Sequence, residues 1–173
     1  MIEIAKLMPN YIIFYNGPQS GASAPDHLHF QAVAKGQMPF EDEIEKADRF
    51  LLSENKEGKM MFINNIGRKC IIAECKRKDM LVSFFHQIYH QLPSINKLEP
   101  QMNVFVYTKN NKLRLVVFPR KKHRPDFYGT EKDKWLISPG AIDMGGIFVL
   151  PIKDNFDTID KETICAVFEQ VSL

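Results

Sequence analysis

A chain of 173 residues with 45% hydrophobic content can bury one sizeable core and is short for two, so it reads as a single domain over 1–173. Its 23 basic and 21 acidic residues leave a formal charge of +2, too mild to mark a nucleic-acid binder from bulk charge. No apolar run reaches the ~18 residues of a membrane span, and three cysteines (Cys70, Cys75, Cys165) without a CxxC pair or a secretory leader fit reduced thiols in a cytoplasmic protein, the first two simply packed.

In chain order, 11–16 (YIIFYN) is β-branched and aromatic and closes at Asn16-Gly17-Pro18, which predicts a strand and a turn. Residues 17–26 are almost wholly small or turn-forming, and 27–34 (HLHFQAVA) alternate polar and apolar as a strand with one buried face. Apolar residues at 44, 47 and 51 within the charged stretch 38–58 predict a surface helix. A hairpin follows, with 59–66 and 69–75 flanking Gly67. Residues 79–92 carry Leu81, Phe84, Phe85, Ile88 and Leu92 on one stripe, a helix with Asp79 as N-cap and Pro93 past its end. Asn110-Asn111 joins 102–108 to 112–118 in a second hairpin, since both residues tolerate positive φ. A strand at 146–151 and a helix capped by Asp160, with Ile164, Val167, Phe168 and Val171 as its apolar face, complete the chain. Short links between strands imply antiparallel pairing and an α+β class.

On a strand at 27–34, His27, His29 and Gln31 share one face, with Leu28, Phe30 and Ala32 on the other. Such a face can be merely solvated. Beside it, however, Gly17, Gly21, Ala22, Ser23 and Ala24 allow close approach of backbone N–H groups to an anion, and Ser20 and Ser23 add hydroxyl donors. A phosphate cradle next to imidazoles suggests phosphoryl or nucleotidyl chemistry: a neutral imidazole attacks phosphorus near its reference pKa of about 6.5, and a covalent intermediate divides one hard transfer into two easier ones. Metal binding competes, since HxH on a strand offers two ligands that His86 and His90 would have to complete, and the balance falls on no metal and no cofactor. The basic run Arg120, Lys121, Lys122, His123 and Arg124 is either solvated or an acceptor-phosphate site between Pro119 and Pro125; without an aromatic platform it does not predict nucleic acid as a partner. The 138–146 run (SPGAIDMGG) makes a turn before the last strand and could border a site.

The run Asn16-Gly17, Gly21-Ala22-Ser23 and His27-Leu28-His29-Phe30-Gln31 resembles the histidine-triad superfamily, in the transferase branch whose motif ends in Gln. That branch holds galactose-1-phosphate uridylyltransferases, diadenosine tetraphosphate phosphorylases and GDP-hexose phosphorylases, and the wording HLHFQA, with FPRKKHRPDFY and SPGAIDMGGIFVLP further on, is most similar to the last group and its bacterial members. The resemblance implies an antiparallel sheet with helices mainly on one side and a nucleotide or nucleotide-sugar substrate. It also implies His29 as the nucleophile on the α-phosphorus, with His27 and Gln31 beside it, and nucleotide contacts from Asn16, Gly17, Ser20, Gly21, Ser23 and Asp26. A hydrolase of the same superfamily and a non-catalytic nucleotide-binding domain remain alternatives. Relatives usually carry strands before the YNG strand, whereas about ten residues precede it here; a missing N-terminal portion would expose that end of the sheet and favour a homodimer with its interface near residues 1–16.

Overall fold

The structure, a computed structural model, describes residues 1–94, 99–131 and 134–173. Seven strands form one antiparallel sheet: β1 (Tyr11–Asn16), β2 (Gln31–Ala34), β3 (Phe50–Glu54), β4 (Gly58–Ile63), β5 (Cys70–Cys75), β6 (Met102–Lys109) and β7 (Lys112–Pro119), in the order β2-β1-β6-β7-β5-β4-β3. With them go α1 (Ile2–Leu7), α2 (Phe40–Lys46), α3 (Lys78–Gln91), α4 (Ala141–Met144), α5 (Lys153–Thr158) and α6 (Lys161–Val171), an α+β domain.

Strand alternation sorts the core into two layers. Ile13, Val104, Val106, Leu115 and Val117 meet α1 and α3 through Ala5, Leu81, Phe84 and Ile88. Ile12, Phe14, Phe105, Val116 and Phe118 point the other way, to Phe40 and Ile44 of α2, Met144 of α4, and Phe168 and Val171 of α6. Helices thus cover both faces, where one main helical side was expected: the central strands are apolar on both sides, and each side needs a cover.

Both predicted hairpins form. Asn110 (φ 49°) and Asn111 (φ 58°) turn β6 into β7, and Gly67 (φ 74°) lies between β4 and β5. In α6 the Thr163 N–H donates to the Asp160 carboxylate at 2.8 Å, the expected cap. The α3 stripe is buried as expected, but the N-cap is Arg77, with Asp79 inside the first turn and paired to it.

Elsewhere the structure departs from the sequence reading. The 38–58 helix stops at Lys46, because Arg49 turns back and donates to the Ile44 carbonyl from Nε (3.1 Å) and Nη2 (2.9 Å); 50–54 then pairs with β4 as an exposed edge strand, bulged between Leu51 and Ser53. The 146–151 strand is absent, its N–H groups being claimed locally: Ile147 donates to Ile142 O and Val149 to Asp143 Oδ1. Strand β1 pairs with β2 on one side and β6 on the other while α1 packs on the sheet, so the uncovered edge behind the expected dimer interface at 1–16 does not exist. Among the described residues no helix is long and apolar enough to cross a membrane.

Candidate active site

Four polar residues cross the end of the sheet on the α2/α4/α6 side. Gln31 lies opposite Phe14, Asn16 opposite Asn103, and Arg120 follows β7, so each projects from its strand on the same face. They form a chain of bonds. Asn16 Nδ2 donates to Gln31 Oε1 (3.3 Å), and Asn103 Nδ2 donates to Asn16 Oδ1 and to the Ser20 carbonyl (both 2.8 Å). Arg120 Nη1 donates to Asn103 Oδ1 at 2.7 Å. Asn103 is fully buried and Arg120 is 1% exposed. The remaining Arg120 donors go to the carbonyls of Pro139, Val171, Lys122 and His123, so all five N–H groups are used. Burial pulls this guanidinium down to about 10, with Asp143 acting in the opposite sense.

This chain of bonds clamps the loop that joins β1 to β2. Gly17 N–H extends the ladder to Met102 O (3.0 Å), and Ser20 N–H closes a turn on Gly17 O (2.9 Å). Gly21 adopts φ +81°, and a Cβ there would sit 2.0 Å from Pro139 O. Only glycine permits that contact between the loop and the 138–141 turn. Ala141 N–H donates to Asn16 Oδ1 (2.5 Å), while Asp143 accepts from Gly140 and Val149 N–H and holds the turn in shape; burial raises the pKa of its carboxyl.

The histidines lie just past this clamp. Pairing of β2 starts only at Gln31, opposite Phe14, so both histidines lie in the segment that precedes the strand. The expected strand at 27–30 is an unpaired segment outside β2, and the buried face expected for Leu28 and Phe30 is instead 73% and 41% exposed, Phe30 packing edge-on against Tyr15. His27 and His29 still share a side, with ring centroids 5.1 Å apart. His29 Nδ1 is 3.2 Å from the His27 carbonyl, and His27 Nδ1 is 3.4 Å from Asp26 Oδ1. A carbonyl only accepts, so His29 Nδ1 carries the proton and Nε2 keeps its lone pair in the neutral ring. Beside them a cleft of 220 Å³ is lined by Asn16, Ala22, Asp26, His27, Tyr15 and Glu99 among others, and Tyr15 donates to Glu99 at 2.7 Å. Burial raises the pKa of that carboxyl, partly offset by the tyrosine bond.

Ser23 and Asp26 are exposed on the loop, whereas Ser20 is fully buried with its Oγ unpartnered among the described residues. The basic run divides. Arg120 and His123 serve the loop from within, Gly21 N–H donating to His123 Nδ1 at 3.2 Å. Arg124 donates to Ser138 Oγ (2.9 Å) and stacks on Tyr128 with its Cζ 4.2 Å from the ring centroid, Lys122 pairs with Asp126, and Lys121 is exposed. His86 and His90 stack on α3, and among the described residues no three His, Cys, Asp or Glu side chains converge as a metal would need. Asn103 and Asp143 had no assigned part in the sequence reading; the available signal for Asn103 was a polar residue in register with Phe105 and Tyr107 on an otherwise apolar strand face.

Sheet, clamped loop and paired histidines define an α+β domain with a glycine-loop and histidine site at the end of its sheet. The chain belongs to the family described as GDPGP1-like, C-terminal domain, whose model matches residues 44–173, while residues 1–34 match a domain of unknown function, DUF4922. The site draws on both matched segments, the histidines and loop from the first, Asn103, Arg120 and His123 from the second. A crystal structure of a DUF4931 family protein from Bacillus cereus ATCC 10987 is similar in fold, with a TM-score of 0.50 at 16% identity over 95% of this chain and 72% of its own. No curated protein matches the chain.

Proposed function

We propose that this domain belongs to the histidine-triad superfamily and is a nucleotidyltransferase or nucleotide phosphorylase, acting on a nucleoside diphosphate sugar or a dinucleoside polyphosphate. The observation that carries the reading is the His29 Nδ1 contact with the His27 carbonyl, which leaves Nε2 as the nucleophilic atom beside a backbone-rich loop. Membership of the GDPGP1-like family, together with the likeness of HLHFQA to GDP-hexose phosphorylases, favours a GDP-hexose over the other substrates.

In the first half-reaction His29 Nε2 attacks the α-phosphorus, a P–N bond forms, and the bridging P–O bond breaks with its electron pair leaving on the departing sugar phosphate. An oxygen of inorganic phosphate then attacks the same phosphorus; the P–N bond breaks, nucleoside diphosphate leaves, and the imidazole recovers its lone pair. Loop N–H groups near Ser23 and the Gln31 amide hydrogen-bond the phosphate oxygens as charge builds. Lys121, Lys122 and Arg124 are the acceptor-side cations, since Arg120 has no N–H to offer.

Incubation with GDP-hexose labelled at the α-phosphate tests the reading. Acid-labile label on the protein, discharged by phosphate and absent from His29→Asn, is the expected result. Equal labelling of the variant refutes the nucleophile, discharge by water alone makes the protein a hydrolase, and saturable binding without label makes it a non-catalytic nucleotide-binding domain.

A further inference from the structure

The geometry points to a positioning role for a second histidine: His123, in its neutral form, holds the 17–23 loop in the shape that receives phosphate. The ligand part of this statement rests on the function proposed above; the positioning part does not.

The contact spans 102 residues of sequence, with Gly21 N–H donating to His123 Nδ1 at 3.2 Å. An imidazole nitrogen accepts only when it carries no proton, so the bond exists in the neutral ring and is lost in the imidazolium, where two N–H groups would face each other. The loop has little freedom to absorb that loss. Gly21 is pressed on Pro139, and Ser20, its neighbour, is tied by its carbonyl to Asn103. The His123 backbone is tied as well, its carbonyl accepting from Arg120 Nη2 at 3.2 Å, and Arg120 also holds Asn103 and Pro139. A single buried guanidinium thus sets the spacing between the ring and the glycine it supports.

The surroundings keep the ring neutral. Burial lowers its pKa from 6.5, the guanidinium groups of Arg124 and Arg120 act in the same direction, and the Gln19 carbonyl opposes them. The loop brings the Gln19 carbonyl and no charged side chain between Gly17 and Ser23, and the 138–141 turn brings none; Lys122 is paired to Asp126, and Asp143 acts on Arg120. With a depressed folded value, the unfolded chain takes up the proton first. The contribution to stability is therefore present above pH 6.5 and is lost as the pH falls toward the folded value.

The test follows the amide resonance of Gly21 and the affinity for GDP across pH 5 to 8, in the natural protein, in His123→Asn and in His123→Phe. Asn places an amide oxygen near the position of Nδ1 and accepts without titrating. We expect the Gly21 amide to shift as His123 titrates, and GDP binding to weaken at the acid end by about five-fold more than in His123→Asn, the worth of one hydrogen bond. His123→Phe should bind weakly at every pH. Titration of the ligand phosphates is common to all three proteins and cancels in the comparison. A Gly21 amide blind to the titration of His123, or a His123→Asn profile identical to the natural one, overturns the inference. A Gly21 amide that follows His123 in a protein that binds no GDP upholds the positioning role and removes the nucleotide reading instead.

Discussion

Replacing Asn103 by alanine should be among the costlier single changes outside the apolar core. The side chain is fully buried and makes three bonds of 2.7 to 2.8 Å, two as donor to Asn16 Oδ1 and Ser20 O and one as acceptor from Arg120. Alanine leaves the buried Ser20 carbonyl and the half-buried Asn16 Oδ1 without that donor and one N–H of a buried cation without an acceptor, each worth about 1–3 kcal/mol when unmet in the interior. The oxygens keep other contacts, Asn16 Oδ1 from Ala141 N–H among them, so the total falls at about 3–5 kcal/mol. For a domain of this length that lowers the midpoint of thermal unfolding by roughly 10 °C. Urea unfolding followed by circular dichroism measures it, with Gln31→Ala as the control at the exposed end of the same chain of bonds, where a change within about 0.5 kcal/mol is expected. A loss below about 1 kcal/mol for Asn103→Ala, with an unchanged dependence on urea, would mean that water reaches these groups and that the loop is not clamped by them.

Two further outcomes follow from local geometry. Asn111→Val should destabilise by about 1–2 kcal/mol, because a β-branched residue is strained at φ 58°, and Asn111→Gly should be neutral or stabilising; denaturant midpoints that rank the two the other way would contradict the turn. A thiol reagent should modify Cys165 alone in the native protein and all three cysteines after unfolding, since Cys165 is exposed while Cys70 and Cys75 are buried and burial pushes the Cys70 thiol up to about 12. Fast native labelling of a second thiol would refute that burial.

Local chemistry made much of the sheet legible. The Asn-Asn turn, the glycine between β4 and β5, and the α3 and α6 stripes each carry their signal within a few residues, so both hairpins and both long helices are where the pattern placed them. Errors arose where two local signals compete and a hydrogen bond from a few residues away decides. A helical period runs through 38–58, but Arg49 ends the helix early; apolar residues at 147–150 read as a strand, but α4 takes their N–H groups. For the candidate site, the loop and the histidines are contiguous and visible, although nothing local shows that β2 begins only at Gln31 and leaves both histidines outside it. The parts that hold them lie far away in sequence, Asn103 on β6 and Arg120 and His123 just past β7, 83 residues from Ser20 to Asn103 and 102 from Gly21 to His123, and no single segment encodes the pairing order that brings them close.

The site spans two parts of the molecule with unequal resistance to opening. Asn103 and the residues next to Arg120 sit on β6 and β7, each bonded to a strand on both sides, whereas the segment with His27 and His29 leads into a four-residue strand at the rim of the sheet that, among the described residues, pairs with β1 alone. Backbone amides at 31–34 should exchange with deuterium long before those of β6, because lifting β2 away exposes little apolar area and breaks few bonds. Such an excursion carries His29, the proposed nucleophile, out of register with its loop while the core stays folded. The geometry of the candidate site and global stability are thereby uncoupled: heat, mild denaturant or a protease cutting near 23–30 should undo the site in a molecule that is otherwise native.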